Sequence, residues 1–291
     1  MEKTIKRMPL YLSAVVMVLL FFALMPVNVI KASALTATVN NETAFKAAVE
    51  SYKNGTVNIT GDFRISTDIT VKYPMTIDMK GHTITLNDNY CLKFDPNEGN
   101  TVTITGNGTF KGKNSGAIIK LYKGKISFLN GKVINDFATT DLNLGYAFLA
   151  DSSNYLQNIT ITEGDFYSNV PIQASTSVGE GHVTIDKNSC YFSSGLTGTA
   201  SAHMIVLPQT TNMGIMVAGN TVTAAISKDI LGDGVFDYDP TNKTLYVRGD
   251  YTGTAKEVIR NVSVDKLTIR TTGNKLTNTL SGTIAYTRTP S

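Results

Sequence analysis

The chain has 291 residues, of which 26 are Lys or Arg and 23 are Asp or Glu, so its formal net charge is +3. So small an excess on a chain of this length excludes the basic stripe of a nucleic-acid-binding protein. The excess also lies within the first 34 residues, because acidic and basic residues are equal in number without them. We therefore expect no nucleic-acid partner.

The N-terminus has the three-part layout of a secretory signal peptide. Lys3, Lys6 and Arg7 precede an apolar run over residues 10–25, and Ala-Ser-Ala follows at residues 32–34. This layout predicts a signal peptide at residues 1–34, cleavage after Ala34, and a secreted or cell-surface protein without a membrane span in its mature form. An uncleaved membrane anchor is the alternative, because the run is about as long as a short transmembrane helix.

One sequence unit recurs down the chain: two short strands of alternating apolar residues, joined at a Gly or Asn corner. Its clearest copy is TIDMKGHTITL at residues 76–86, and further copies occupy residues 57–65, 102–110, 126–134, 159–166 and 183–192. Such alternation buries one row of side chains and leaves the other row in water. The corner residues suit a left-handed backbone and lie 20 to 33 residues apart, a spacing typical of repeat arrays: Gly61, Gly81, Gly106, Gly131, Gly164, Asn188 and Gly219.

The segments between these copies carry no helical pattern and are rich in Asn, Asp, Gly and Lys. Parallel strands without crossover helices favour a β-helix, in which each coil buries its inward residues against the next coil. The predicted fold is therefore an all-β, right-handed parallel β-helix. A β-sandwich is the alternative, but its hairpins should show repeated Asn-Gly or Asp-Gly turns, and Asn130-Gly131 is the one clear case.

A single amphipathic helix is predicted ahead of the coils. Phe45, Ala48, Val49 and Tyr52 fall on one helical face, and Asn41 suits the N-cap position. Such a helix would cover the open end of the first coil. The predicted organisation is an N-terminal strand and capping helix at residues 35–56, β-helix coils at residues 57–195, and less regular β coils or a small β module at residues 196–291.

The helix pattern of residues 45–49, the strand at residues 55–59 and the unit at residues 77–84 together resemble the start of the pectate-lyase-like right-handed parallel β-helix superfamily. The resemblance covers about residues 36–195 and rests on residues that build coils. It implies the fold and leaves the activity open, because this superfamily includes lyases, hydrolases, adhesins and phage tailspikes. Residues 236–278 are also similar to repeats of secreted bacterial proteins described as carbohydrate-binding.

Candidate catalytic residues are few. A polygalacturonase-like hydrolase would need paired aspartates with Gly-His-Gly and Arg-x-Lys motifs, which the sequence lacks. A pectate-lyase-like enzyme would hold calcium between carboxylates and use Arg or Lys as its base. The best local cluster for that chemistry is Glu163 and Asp165 on one corner with Asp186 and Lys187 on the next, close enough to share a cation if the coils stack in register. Solvated turn residues explain the same cluster.

Other polar residues have structural explanations. Asp229, Asp233, Asp237 and Asp239 do not fit an EF-hand loop and suit turns. Free, buried thiols are favoured for Cys91 and Cys190, because about four coils would separate them, although a disulfide stays open.

Two residue types could contribute to a binding face. Outward Thr pairs such as Thr103 and Thr105 could form a ladder, but we place these pairs on non-consecutive coils. The chain has 13 Tyr and no Trp, and exposed Tyr rings can stack on sugars. The candidates considered are Tyr122, Tyr146, Tyr155, Tyr167 and Tyr246.

These patterns predict a secreted bacterial surface protein that acts as a non-enzymatic binding or adhesion module without a cofactor. Its expected partner is an extracellular polysaccharide or cell-surface glycan. One alternative is a polysaccharide lyase or glycoside hydrolase acting on an acidic polysaccharide, with calcium as the cofactor of a lyase. Another is a structural stalk, which predicts no groove. Convergence of Glu163, Asp165, Asp186 and Lys187 in one groove would favour the enzyme.

Overall fold

The computed structural model describes residues 35–139, 141, 144–150, 157–174, 182–194, 202–279 and 283–287. The predicted signal peptide and its cleavage position lie outside these residues. So do Tyr155 and the predicted domain boundary near residue 196.

Three sheets of mainly parallel strands wind around a common core, and each complete coil contributes one strand to each sheet. Sheet A contains β1 (Thr36–Val39), β2 (Gly55–Ile59), β5 (Met75–Asp78), β8 (Thr101–Thr105), β11 (Gly124–Phe128), β14 (Gln157–Ile161) and β17 (His182–Ile185). Sheet B contains β3 (Phe63–Ile65), β6 (Thr83–Leu86), β9 (Thr109–Gly112), β12 (Lys132–Asn135), β15 (Gly164–Ser168), β19 (Ala202–Pro208) and β18 (Ser189–Ser194). Sheet C contains β4 (Ile69–Val71), β7 (Leu92–Phe94), β10 (Ala117–Leu121), β13 (Tyr146–Ala150) and β16 (Val170–Ala174). The predicted parallel β-helix is confirmed.

Stacked apolar side chains form the core of this solenoid. Along sheet A the parallel register places Ile77 beside Ile104, Ile104 beside Phe128, and Phe128 beside Ile161. All four side chains are fully buried. Because like positions stack coil upon coil, each coil removes apolar surface of its neighbours from water.

The predicted capping helix is α1 (Glu42–Ser51), which begins after Asn41. Asn41 Oδ1 accepts a hydrogen bond from Ala44 N at 2.9 Å. Phe45 is fully buried, and its ring centroid lies 5.6 Å from that of Phe63 in the first coil. The Glu42 carboxylate also accepts four hydrogen bonds from the backbone N–H and hydroxyl groups of Ser66 and Thr67. The helix is therefore tied to the first coil by both apolar packing and polar contacts.

The corner residues divide into two groups. Gly81, Gly106, Gly131 and Gly219 have the expected left-handed backbone, with φ of +80°, +89°, +134° and +82°. Gly61, Gly164 and Asn188 do not, so the expectation of a left-handed corner is wrong at these three positions. At Gly164 the constraint is space instead, because a Cβ there would lie 2.2 Å from the Phe166 ring.

Buried asparagines satisfy the backbone at another corner of the coils. Asn135 is 4 % exposed. Its amide nitrogen donates to the carbonyl oxygens of Asn114 and Tyr146 at 2.8 and 2.9 Å, and its Oδ1 accepts from Asn114 N at 2.9 Å. One side chain therefore supplies partners to backbone groups on two coils, which water cannot reach.

The parallel order of sheet B ends at β15. Strand β19 runs antiparallel to both β15 and β18 and lies between them. Met204 and Val206 of β19 are buried in the solenoid core. The sixth unit of the sequence therefore does not place its second strand directly on β15, because β19 takes that position.

Beyond β19 a second core is enclosed by β20 (Asn212–Val217), β21 (Asn220–Thr223), a short 3₁₀ helix (Ala224–Ile226), β22 (Phe236–Asp239), β23 (Thr244–Val247), β24 (Tyr251–Gly253), β25 (Glu257–Asn261), β26 (Thr268–Thr271), β27 (Leu276–Asn278) and β28 (Thr283–Thr287). Strands β23, β24 and β25 pair in parallel with β26, β27 and β28, respectively. Coil stacking therefore resumes in this region, after the antiparallel strands β20 to β22.

Candidate functional site

A row of paired residues crosses the outer face of sheet B. The register places Thr109 of β9 beside Lys132 of β12, Lys132 beside Asp165 of β15, and Asp165 opposite Ile205 of β19. Side chains at paired positions point to the same face of a sheet. The sheet therefore brings residues from four separate sequence segments into one row.

Asp165 is held between the side chains of Lys132 and His203. Its Oδ2 lies 2.9 Å from Lys132 Nζ, and its Oδ1 lies 2.6 Å from His203 Nε2. His203 can reach Asp165 because β19 runs antiparallel to β15 and places His203 opposite Tyr167. The rings of Tyr167 and His203 stack with their centroids 4.2 Å apart. The side chains of Asp165 and His203 are only 24 % and 16 % exposed.

The surroundings of Asp165 and Lys132 determine the charges of these two side chains. Burial by itself raises the pKa of Asp165, but hydrogen bonds from His203 and Lys132 outweigh it and hold the pKa below its ordinary value. The hydrogen bond to Asp165 likewise raises the pKa of Lys132. Asp165 is thus a carboxylate and Lys132 an ammonium group at neutral pH.

Beside this cluster lies a groove of about 440 Å³ that crosses several coils. Asn107, Thr109, Lys132 and Glu163 contribute hydrogen-bonding groups to its lining. Ile205, Val206 and Leu207 of β19 also line it; Ile205 and Leu207 are half-buried, whereas Val206 is buried in the solenoid core. The groove therefore offers both polar and apolar contacts.

The four residues singled out in the sequence are distributed unevenly around this groove. Glu163 and Asp165 both line it. Asp186 instead accepts a hydrogen bond from Asn188 N at 2.8 Å, which closes its own turn, and Lys187 is exposed with its carbonyl accepting from Gln209. Asp186 and Lys187 are not among the residues that line the groove.

Lys132 and His203 are the site residues that sequence reasoning missed. Lys132 follows a corner glycine in one of the recurring units, so its place in the row could have been inferred from the unit alignment. His203 has no such signal, because its position depends on the reversal of β19.

The described residues contain no cluster of three or more His, Cys, Asp or Glu side chains that could hold a metal ion. Three of the four aspartates near residue 230 accept hydrogen bonds within their own turns, as the sequence suggested, and the fourth, Asp237, lies on β22. Asp229 accepts from Gly234 N, Asp233 from Val235 N, and Asp239 from Thr241 N, each at 2.9 Å. Asp237 pairs with Arg248.

Both cysteines are free thiols. Cys91 is buried, and burial raises the pKa of its thiol to about 11, with a further contribution from Asp68. Cys190 is half-buried.

The structure assigns the exposed tyrosines differently from the candidates considered in the sequence. Tyr146 is buried, whereas Tyr122, Tyr167 and Tyr246 are half-buried. The most exposed tyrosines described are Tyr191 and Tyr90, at 51 % and 37 %.

Thr103 belongs to a longer row of outward hydroxyl side chains than the sequence indicated. A single outward row on sheet A runs through seven consecutive strands, because the parallel register aligns Thr36, Thr56, Thr76, Thr103, Ser127, Thr160 and Thr184. The sequence concealed this row because the hydroxyl residue stands at a different place in each unit.

Comparison with protein-family models, curated proteins and solved structures finds no match to this chain. Within the described residues, no helix is both long and apolar enough to cross a membrane.

Proposed function

We propose that this chain is a secreted or cell-surface glycan-binding module that does not act as an enzyme, and that the groove beside Asp165 is its binding site. We also propose that it belongs to the pectate-lyase-like superfamily. The observation that carries the functional proposal is the presence of both hydrogen-bonding and aliphatic groups in the lining of a groove that crosses successive coils.

A sugar chain suits this mixed lining. Each sugar ring presents hydroxyl groups at its edge and C–H groups on its faces, so it needs polar and apolar contacts together. Asn107 and Glu163 supply side-chain oxygen and nitrogen atoms, and Ile205 and Leu207 supply the apolar surface. Because coils repeat about every 4.8 Å along the axis, a groove that crosses several coils suits an extended ligand such as a polymer.

The charges in the groove favour binding over catalysis. Glycoside hydrolysis requires a carboxylic acid with a raised pKa beside a second carboxylate, whereas the pKa of Asp165 is lowered. Both Asp165 oxygens are also engaged by Lys132 and His203. Asp165 is better suited to fixing Lys132 and His203 than to donating or accepting a proton in a reaction.

The N-terminal sequence pattern supports export, which would bring the module into contact with extracellular glycans. A structural stalk would not require an amphipathic groove. A polysaccharide lyase remains the enzymatic alternative, and its activity is an outcome of the test below.

The test is a glycan-array screen of the purified chain, with calcium present and absent, together with ultraviolet detection of unsaturated products from acidic polysaccharides. We expect binding without product formation. We also expect Glu163→Gln and Thr109→Val to weaken binding of the selected glycan by about tenfold each, as for the loss of one hydrogen bond to a charged or buried partner.

Matched controls lie outside the groove. Glu98→Gln changes an exposed carboxylate elsewhere, and Thr85→Val changes another outward threonine of sheet B. Both variants should bind like the unmodified chain. Product formation, or equal effects of the groove and control variants, would overturn the proposal.

A further inference from the structure

A second cleft, of about 350 Å³, lies between the end of the solenoid and the β22–β23 hairpin. Tyr191 and Phe192 of β18 form one side, and Asp237, Asp239 and Arg248 form the other side, with Lys228 also lining the cleft. Two chain segments that are distant in sequence therefore meet here. None of these residues lines the groove beside Asp165.

Tyr191 provides an exposed aromatic surface in this cleft. Its side chain is 51 % exposed, the highest value among the described tyrosines. Lys228 Nζ lies 4.9 Å from the centroid of its ring and 5.8 Å from that of Phe192. A cation over one ring face is a favourable contact, and the exposed remainder of the Tyr191 ring is open to a ligand.

The two carboxylates of the cleft are already satisfied. Arg248 Nε pairs with Asp237, and Asp239 accepts hydrogen bonds from Thr241 and from the Asn242 amide. Within the described residues, no carboxylate lies within ion-pair distance of Lys228. Among the described residues, Lys228 is therefore an ammonium group without an ion-pair partner, next to an exposed aromatic ring.

Arg248 adds further donors at the opposite wall. Its guanidinium carbon lies 4.8 Å from the Tyr246 ring centroid, and its side chain is 58 % exposed. The Tyr246 ring and the Asp237 contact through Nε hold the group in place, and within the described residues its terminal nitrogens remain as donors. A fixed guanidinium plane recognises a carboxylate or sulfate through paired hydrogen bonds.

We propose that this cleft is a second saccharide site, which selects sugars that carry a carboxylate or a sulfate. The sugar ring stacks on the exposed part of Tyr191, while Lys228 and the terminal nitrogens of Arg248 hold its anionic group. Tyrosine supplies a flat surface of low conformational entropy for this contact, and the cations supply the selectivity for charge. The site does not depend on ligand binding in the groove beside Asp165.

The test is isothermal titration of the whole chain with three probes: trigalacturonate, its neutral methyl ester, and a chondroitin sulfate tetrasaccharide. We expect at least one anionic probe to bind at least about tenfold more tightly than the neutral ester, with affinity falling as salt rises. The comparison between the two anionic probes distinguishes carboxylate from sulfate recognition.

Variants locate the binding. Tyr191→Ala and Lys228→Gln should each weaken binding of the anionic probe by about tenfold or more, while Tyr191→Phe retains it because the ring remains. Lys53→Gln is the matched control, since Lys53 Nζ lies 4.8 Å from the Tyr73 ring centroid in a similar pair elsewhere. Glu163→Gln serves as the control for the groove.

Three results would overturn the proposal. The first is no measurable binding of either anionic probe, and the second is equal affinity for the neutral ester. The third is a loss of binding in Glu163→Gln with none in Tyr191→Ala or Lys228→Gln, which would place the anionic sugar in the groove instead.

Discussion

His203 Nε2 lies 2.6 Å from Asp165 Oδ1, although the two residues are 38 positions apart in the sequence. The contact exists because β19 folds back antiparallel against β15 and sets His203 opposite Tyr167. Lys132 reaches the other oxygen of Asp165 from the preceding coil. One carboxylate thus joins the last coil of the parallel stack to the strand that reverses it.

The first prediction concerns this carboxylate. Replacing Asp165 by Asn removes the negative charge that Lys132 and His203 contact, so the free energy of unfolding should fall by about 1–3 kcal/mol near neutral pH. The pKa of Asp165 is lowered in the folded state. Its contribution is therefore fully present above the unfolded pKa of about 3.9 and is lost as pH falls through the folded pKa.

Urea denaturation of both proteins across this pH range is the measurement. The difference in unfolding free energy between the unmodified chain and Asp165→Asn should shrink on acidification. A difference that stays constant down to about pH 2 would show that the charge of Asp165 contributes nothing to stability.

The second prediction concerns the stacked core. Ile104 is fully buried between Ile77 and Phe128 of the adjacent coils. Ile104→Ala should lower the free energy of unfolding by about 2–5 kcal/mol, because it removes buried carbons and leaves a cavity. Thr103→Ala, on the outward side of the same strand, should change it by less than about 1 kcal/mol. Similar losses in both variants, measured by chemical denaturation, would contradict the inward and outward assignment.

The third prediction compares two corner glycines with similar backbones. Gly81 and Gly106 have φ of +80° and +89°. A Cβ at Gly81 meets no atom within 4 Å, but a Cβ at Gly106 would lie 2.1 Å from Asp78 Oδ1 and 2.5 Å from Lys80 N. Gly81→Ala should therefore cost about 1–2 kcal/mol from backbone strain alone, and Gly106→Ala should cost more. Equal melting temperatures for the two variants would show that the neighbouring corner moves to accommodate a Cβ at Gly106 at little cost.

The fourth prediction concerns the N-terminal cap. Burial alone raises the pKa of Glu42, yet the hydrogen bonds from Ser66 and Thr67 outweigh it, so the pKa is lowered. Glu42→Gln should lower the melting temperature at neutral pH, and the effect should vanish as pH falls through the folded pKa of Glu42. Glu50→Gln, on the same helix, is the control. A temperature loss that is the same at all pH values would assign the effect to side-chain shape instead of charge.

The fifth prediction tests the buried asparagine corner. Asn135→Ala leaves the Asn114 N–H and the carbonyl oxygens of Asn114 and Tyr146 without their hydrogen-bond partner. We expect a loss of about 2–4 kcal/mol in the free energy of unfolding, since an unsatisfied buried group costs about 1–3 kcal/mol. Asn107→Gly, at an exposed corner with φ of +58°, should have a much smaller effect. A stable Asn135→Ala variant would mean that water replaces the amide.

Local patterns predicted most of the solenoid. Alternation predicts one buried row in each unit, to which Ile77, Ile104 and Ile161 belong, and a helical pattern predicts that Phe45 covers the first coil, because both depend only on nearby residues. The reversal at β19 depends instead on which strand covers the end of a sheet. Alternating residues such as Met204 and Val206 suit parallel and antiparallel pairing equally well, so no local signal distinguishes them.

The candidate site could likewise be predicted from local sequence only in part. Glu163 and Asp165 could be selected from the sequence because one corner carries both. Lys132 requires the register between coils, and His203 requires the direction of β19. The Tyr191 cleft depends on how the hairpin near residue 237 packs against β18. This packing leaves no periodic pattern in the sequence.

The measurement that tests the central claim most directly is hydrogen exchange of the whole chain with and without the glycan selected by the array. Binding in the groove predicts slower exchange at residues 107–112, 131–135, 163–168 and 203–207, with no product formed. No glycan ligand, protection confined to other coils, or release of unsaturated or hydrolysed sugars during the incubation would contradict the proposed function.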